Sequence, residues 1–150
     1  LPEPEREFYI SGDAFVKDWI IKVRNDVPDA PVLVTAGGLL HYFEENKVIS
    51  LLRMIGQSGN MEVVFDTVNK KGMAMMQKKY MKQVGHADAQ MFFYVDAAKE
   101  LAAKIRGNVK VIAEEPYYRY IPKNGLKLST KVSMAVSDQF KMVKMIHLKL

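Results

Sequence analysis

Apolar residues recur along this 150-residue chain at two spacings, and the spacings assign the elements. Val32, Leu33 and Val34 form an uninterrupted apolar run, the pattern of a strand buried on both faces, as in a parallel sheet. From Glu44 to Gly56, Val48, Leu51, Leu52 and Ile55 fall on one helical face. Met61 to Asp66 reads as the next buried strand and closes on an aspartate. Ahead of these, a polar lead-in from Leu1 to Glu5 gives way to a short strand, Phe8-Tyr9-Ile10. Ser11-Gly12-Asp13 turns it into an amphipathic helix from Phe15 to Val23.

The second half continues the alternation. Asn69 to Gly72 reads as a turn, and Met73 to Val84 as a methionine-rich helix with Met73, Met76, Tyr80 and Met81 on one face, stopped by Gly85. His86 to Tyr94 has no clear period and reads as a loop or short helix carrying Phe92, Phe93 and Tyr94. Asp96 suits the N-cap of a helix from Ala97 to Ile105, with Gly107 as its stop. Val109 to Ala113 is a strand running on toward Pro116, Pro122 to Gly125 a turn, and Leu126 to Val136 a helix. Phe140 to Leu150 closes the series as a strand, its apolar Ile146, Leu148 and Leu150 alternating with His147 and Lys149. The order β-α-β-α-β-α-α-β-α-β predicts one α/β domain over residues 1–150, with a mainly parallel sheet and an antiparallel last strand.

Composition narrows the classes. Hydrophobic residues make up 49% of the chain, enough for a substantial core, yet no run reaches the roughly 18 apolar residues of a membrane span. There is no cysteine, hence no disulfide framework or thiolate metal site, and the start shows no signal-peptide pattern; we expect a cytoplasmic protein that meets no membrane. The net charge of +5 is spread over scattered lysines without aromatic residues interleaved on one strand, so a solvated basic surface is expected rather than a nucleic-acid track.

Candidate chemistry gathers after the Val32–Val34 strand. Ala36, Gly37 and Gly38 let backbone and ligand approach closely, and open α/β sheets bind ligands at the carboxyl ends of their strands. A double glycine is also an ordinary tight turn. His41, His86 and His147 lack metal-ligand spacing, so no metal site is expected. His41 is the one histidine near the glycines, either a general base or a packed side chain.

Four stretches carry a resemblance to a known family. Pro31-Val-Leu-Val-Thr-Ala-Gly-Gly-Leu-Leu-His-Tyr-Phe43 with its following helix, Met61-Glu-Val-Val-Phe-Asp66, and Lys141 to Leu150 resemble the fourth, fifth and last strands of class I S-adenosylmethionine-dependent methyltransferases. The branch is that of leucine carboxyl methyltransferase and the polyketide-type O-methyltransferases. Phe8 to Asp13 resembles its third strand and the acidic turn after it. The resemblance implies a Rossmann-like methyltransferase sheet lacking its first two strands, and S-adenosylmethionine as cofactor. It implies that Asp13 takes the adenine amino group and the Ala14 backbone reads the ring edge, although Asp13 also suits a helix N-cap. Gly37 and Gly38 fall near the cofactor's amino end, where the family carries a glutamate at the position of Gly37.

The substrate pocket implied by the resemblance uses Met73, Met76, Phe92, Tyr94 and Tyr117, all residues that also suit a core. Their soft, apolar character suits a hydrophobic small molecule with a carboxylate or hydroxyl, or a protein carboxylate. Two functions follow: an O-methyltransferase, or a non-catalytic methyltransferase-like interaction module. Homo-oligomerisation is expected if the Val32–Val34 strand has an unpaired edge.

Overall fold

The computed structural model describes residues 9–83 and 90–150. Its elements are α1 (Asp18–Asp26), β1 (Val32–Ala36), a 3-10 turn (Leu40–Tyr42), α2 (Glu45–Gly56), β2 (Met61–Val68), α3 (Lys70–Gln83), α4 (Ala98–Ile105), β3 (Lys110–Pro116), α5 (Leu128–Gln139) and β4 (Val143–Lys149). The strands form one sheet in the order β1-β2-β4-β3. β1 pairs with β2 in parallel, from Val32 opposite Met61 to Ala36 opposite Phe65. β4 lies antiparallel between β2 and β3. β1, β2 and β3 therefore point the same way and β4 opposes them, the antiparallel last strand that the element order predicts; because β4 lies inside the sheet, only one of the three pairings is parallel and the sheet is mixed rather than mainly parallel.

One face of this sheet holds the core. Met61, Val63 and Phe65 alternate inward from β2, and Ile146 and Leu148 stand opposite them on β4. Against them pack Val48, Leu52 and Ile55 of α2, Leu101 and Ile105 of α4, Ile20 of α1, and Phe93. Each such side chain contributes about 1.5–3 kcal/mol when fully removed from water. The helix ends are tied by arginines: Arg53 donates to the carbonyls of Lys104 and Ile105 at the end of α4. Arg24 joins α1 to the carbonyls of Ala30, Ser58 and Asn60 beneath the sheet.

Several expectations need correction. No strand forms at residues 9–10, where Tyr9 and Ile10 are exposed; Phe8 lies outside the described residues. β1 is consequently an edge strand among the described residues, and the expectation of a strand buried on both faces fails. Leu33 is 57% exposed, because the helices of the core cover only the other face of the sheet. The first helix begins at Asp18, three residues later than predicted, since Asp13 Oδ1 accepts the Phe15 N–H and holds a turn there instead. The expected turn at Asn69–Gly72 is the opening of α3, capped by Asn69 Oδ1 on the Gly72 N–H at 2.7 Å.

Asp96 does not cap α4. Its Oδ1 accepts the Lys70 N–H at the start of α3, and Glu114 Oε2, reaching over from β3, accepts the Ala98 N–H of α4. The predicted loop or short helix of residues 86–94 is extended over 91–95; Gly85 and His86 lie outside the described residues. No described helix is long and apolar enough to cross a membrane.

Candidate functional site at the carboxyl edge of the sheet

The ends of β1, β2 and β3 bring the singled-out residues to one edge of the sheet. After Ala36 the chain turns through Gly37 and Gly38, and Gly38, with φ +65°, adopts a conformation that favours glycine. The Gly38 N–H donates to Asp66 Oδ1 at 2.6 Å, so the turn after β1 is fixed by a carboxylate of β2. Neither glycine has an atom within 4 Å of where a Cβ would stand, so both turn residues face open space.

The 3-10 turn carries His41 into the interior. Its side chain is 7% exposed, and Nδ1 is buried without a hydrogen-bond partner among the described residues. The ring lies 4.8 Å from that of Tyr42. Burial pushes the His41 pKa below its ordinary value, and the charge of Asp66 opposes that shift in part. His41 is therefore held as the neutral imidazole.

Over this turn runs the extended segment from Met91 to Asp96. The Phe92 and Phe93 N–H groups both donate to the His41 carbonyl, at 2.8 and 3.3 Å, and the Val95 N–H donates to the Val68 carbonyl. Alternation along the segment turns Met91, Phe93 and Val95 inward and leaves Phe92 and Tyr94 outward. Phe92 and Tyr94 line a cavity of about 290 Å³ with Glu45, Asp96, Glu100 and Lys104, spanned by a Lys104–Glu45 ion pair of 2.6 Å.

The far end of the segment is anchored by a buried charge. Lys144 of β4 is 1% exposed, and its Nζ donates to the Asp96 carbonyl and to Glu114 Oε1, each at 2.7 Å. Burial works against ionisation of Glu114, but the Lys144 hydrogen bond and the Ala98 N–H outweigh it and keep its carboxyl below the usual range. Sequence reasoning missed Lys144 and Glu114. The one signal was a lysine between apolar Val143 and Met145 in a strand that lies centrally in the sheet.

Asp13 and Ala14 approach the same edge from a loop rather than a strand end. The Trp19 Nε1–H donates to the Ala14 carbonyl at 2.9 Å and closes the turn before α1. Ala14 and Trp19 line a second cavity of about 290 Å³ with Ala36 and Leu39, the residues flanking the double glycine. Asp13 is exposed, with one oxygen committed to Phe15 and no described partner on the other.

The five predicted pocket residues share the edge but not one surrounding. Met73 and Met76 pack with Val68 and Met91 in a small satellite core. Phe92 and Tyr94 line the first cavity, and Tyr117 stacks edge-on against Tyr118 at 5.2 Å past the end of β3. Among the described residues, no group of three or more histidines and carboxylates is placed to hold a metal ion.

No protein-family model matches the chain. It is 32% identical to the S-adenosyl-L-methionine-dependent methyltransferase dpfgK of Gibberella zeae over 71% of its own length, and spans 38% of that protein. Of solved structures, it resembles a duf574 family protein from Streptomyces avermitilis at 11% identity and a TM-score of 0.59, covering 94% of this chain and 54% of that one. It also resembles an SAM-dependent methyltransferase from Anabaena variabilis at 10% identity and a TM-score of 0.46, covering 91% of this chain and 56% of that one. The chain thus has the fold of about half of the Streptomyces protein and a sequence relative that is a methyltransferase.

Proposed function

We propose that this chain is part of an S-adenosylmethionine-dependent methyltransferase with a Rossmann-like sheet, of the leucine carboxyl and polyketide-type branch. Its methyl acceptor is an oxygen, a carboxylate or hydroxyl of a small hydrophobic molecule. The observation that carries the reading is the 32% identity to a methyltransferase across 71% of this chain. The geometry supports it: Ala14 and the residues flanking the double-glycine turn line one cavity, Phe92 and Tyr94 line another, and the turn itself follows the carboxyl end of β1, where open α/β sheets bind ligands.

The residues present fit the adenosyl part of the cofactor. The cavity beside Ala14, Trp19, Ala36 and Leu39 is mostly apolar, as a flat aromatic base requires, and Asp13, which sits in the chain between the lining residues Gly12 and Ala14, has a carboxylate oxygen with no described partner to offer an amino group. When bound, S-adenosylmethionine supplies an electrophilic methyl on a good leaving group, so the protein has to align the acceptor, exclude water and take up a proton. Gly37 and Gly38 keep the turn free of side chains so that a ligand can approach. Neutral His41 is the proton acceptor, through its unpartnered Nδ1, once the segment above it lifts.

Calorimetric titration of the full-length protein with S-adenosylmethionine tests the reading, with one site per chain at micromolar affinity as the expected result. A second reading, a non-catalytic interaction module, is favoured by Gly37, which supplies no carboxylate to the cofactor's amino end. Full-length protein that binds no S-adenosylmethionine leaves that second reading standing.

A further inference from the structure

We propose that Lys144 is a positioning residue: through Asp96 and Glu114 it latches the strap Met91–Asp96 shut over His41. The strap is held by Phe93 and Val95, whose side chains are buried in the main core, and by polar contacts: the Phe92 and Phe93 N–H groups on the His41 carbonyl, the Val95 N–H on the Val68 carbonyl and the Gln77 amide on the Met91 carbonyl. Its other end is knotted at Asp96. The Asp96 side chain starts α3 on the Lys70 N–H, and its carbonyl takes the Lys144 ammonium. Glu114, the second partner of Lys144, starts α4 on the Ala98 N–H, immediately beyond the strap. One buried ammonium therefore sets the end of the strap and, through Glu114, the helix that follows it.

Fold stability alone does not call for this charge. A buried ion pair is often matched or bettered by apolar residues of the same volume, so apolar side chains at positions 144 and 114 together would serve the sheet as well. What the charge adds is direction: an ammonium holds a carbonyl and a carboxylate at fixed points, which a methionine cannot. On the turn whose His41 carbonyl takes the strap's N–H groups, His41 Nδ1 is buried without a partner among the described residues, a group that costs free energy unless something meets it there. A latched strap seals it, and an unlatched strap opens it to a donor. The part of this inference that concerns what enters rests on the methyltransferase reading; the latch does not.

The test compares the full-length protein with the double variant Lys144→Met/Glu114→Gln, which removes both charges together and leaves an amide oxygen to cap α4. Amide hydrogen exchange is followed at Phe92, Phe93 and Phe65, and the His41 ring is titrated by NMR. In the variant, exchange at Phe92 and Phe93 should speed up about tenfold more than at Phe65 in the core. The His41 pKa should rise toward its ordinary value as water reaches the ring, with Asp66 and Tyr42 still beside it. Glu114→Gln alone, which keeps a weaker bond to Lys144, should move both readouts the same way by less, and stands in if the double variant does not fold. Uniform acceleration at all three amides, or an unmoved His41 titration, overturns the latch. Neither readout requires cofactor, so the latch and the methyltransferase reading fail separately.

Discussion

Lys144 Nζ stands 2.7 Å from Glu114 Oε1 inside the sheet, with the lysine 1% exposed. Removing one partner strands the other. Lys144→Met alone should destabilise the protein by about 3–5 kcal/mol, and addition of Glu114→Gln should recover most of that loss. Urea denaturation of the single and double variants measures both. Because the Glu114 carboxyl titrates below its usual range, its contribution is present above the unfolded-state value and fades as pH falls through the folded one.

His41 has the opposite charge chemistry with the same pH direction. Burial lowers its pKa from the ordinary 6.5, so above that pH it costs nothing, and below it the unfolded chain takes up a proton that the folded one refuses. Stability should decline as pH drops below about 6.5 and level off beneath the folded pKa. His41→Gln should flatten that part of the curve in thermal melts. If His41 is the base of the methyltransferase proposed, His41→Ala should lower turnover of the full-length protein roughly 10²-fold, the size of a lost general base; a loss within about threefold would mean packing alone.

Gly72 is where α3 touches the chain before β4. A Cβ there would lie 2.5 Å from the Met142 carbonyl oxygen, which belongs to backbone and has little room to retreat. Gly72→Ala should cost about 1–3 kcal/mol by overpacking, against little for Gly12→Ala, which meets nothing within 4 Å. Parallel denaturation curves distinguish the two.

Asp13 should matter to ligand more than to fold. Its turn with Phe15 is exposed, so Asp13→Ala should change stability by less than about 1 kcal/mol. The same change should weaken S-adenosylmethionine binding about tenfold or more in the full-length protein, the loss expected for a hydrogen bond to a charged group. Titration calorimetry on the variant provides the comparison.

Local periodicity carried most of the elements. Val48, Leu51, Leu52 and Ile55 announce α2, and the alternation through Ile146 and Leu148 announces β4, because these patterns report which side of an element faces the core. Leu33 misled because its exposure depends on what lies beside the strand, which three apolar letters cannot report. Asp96 misled for a related reason: the capping acceptor for α4 is Glu114, 16 positions beyond Ala98 in sequence, and only the folded sheet brings it near. The burial of the His41 side chain is likewise a product of tertiary packing, without a local signature.

The place of β4 has a consequence for synthesis. Among the described strands it is made after β3, yet it lies between β2 and β3, and β3 is hydrogen-bonded to the sheet only through it. Until Lys149 has left the ribosome, β1 and β2 wait as a parallel pair with an open side, and β3 has nothing to join. Contacts between β2 and β4 span some of the longest separations in the chain, from Glu62 to Lys149. Assembly of this sheet should therefore be late and concerted, slower than the helix content would suggest.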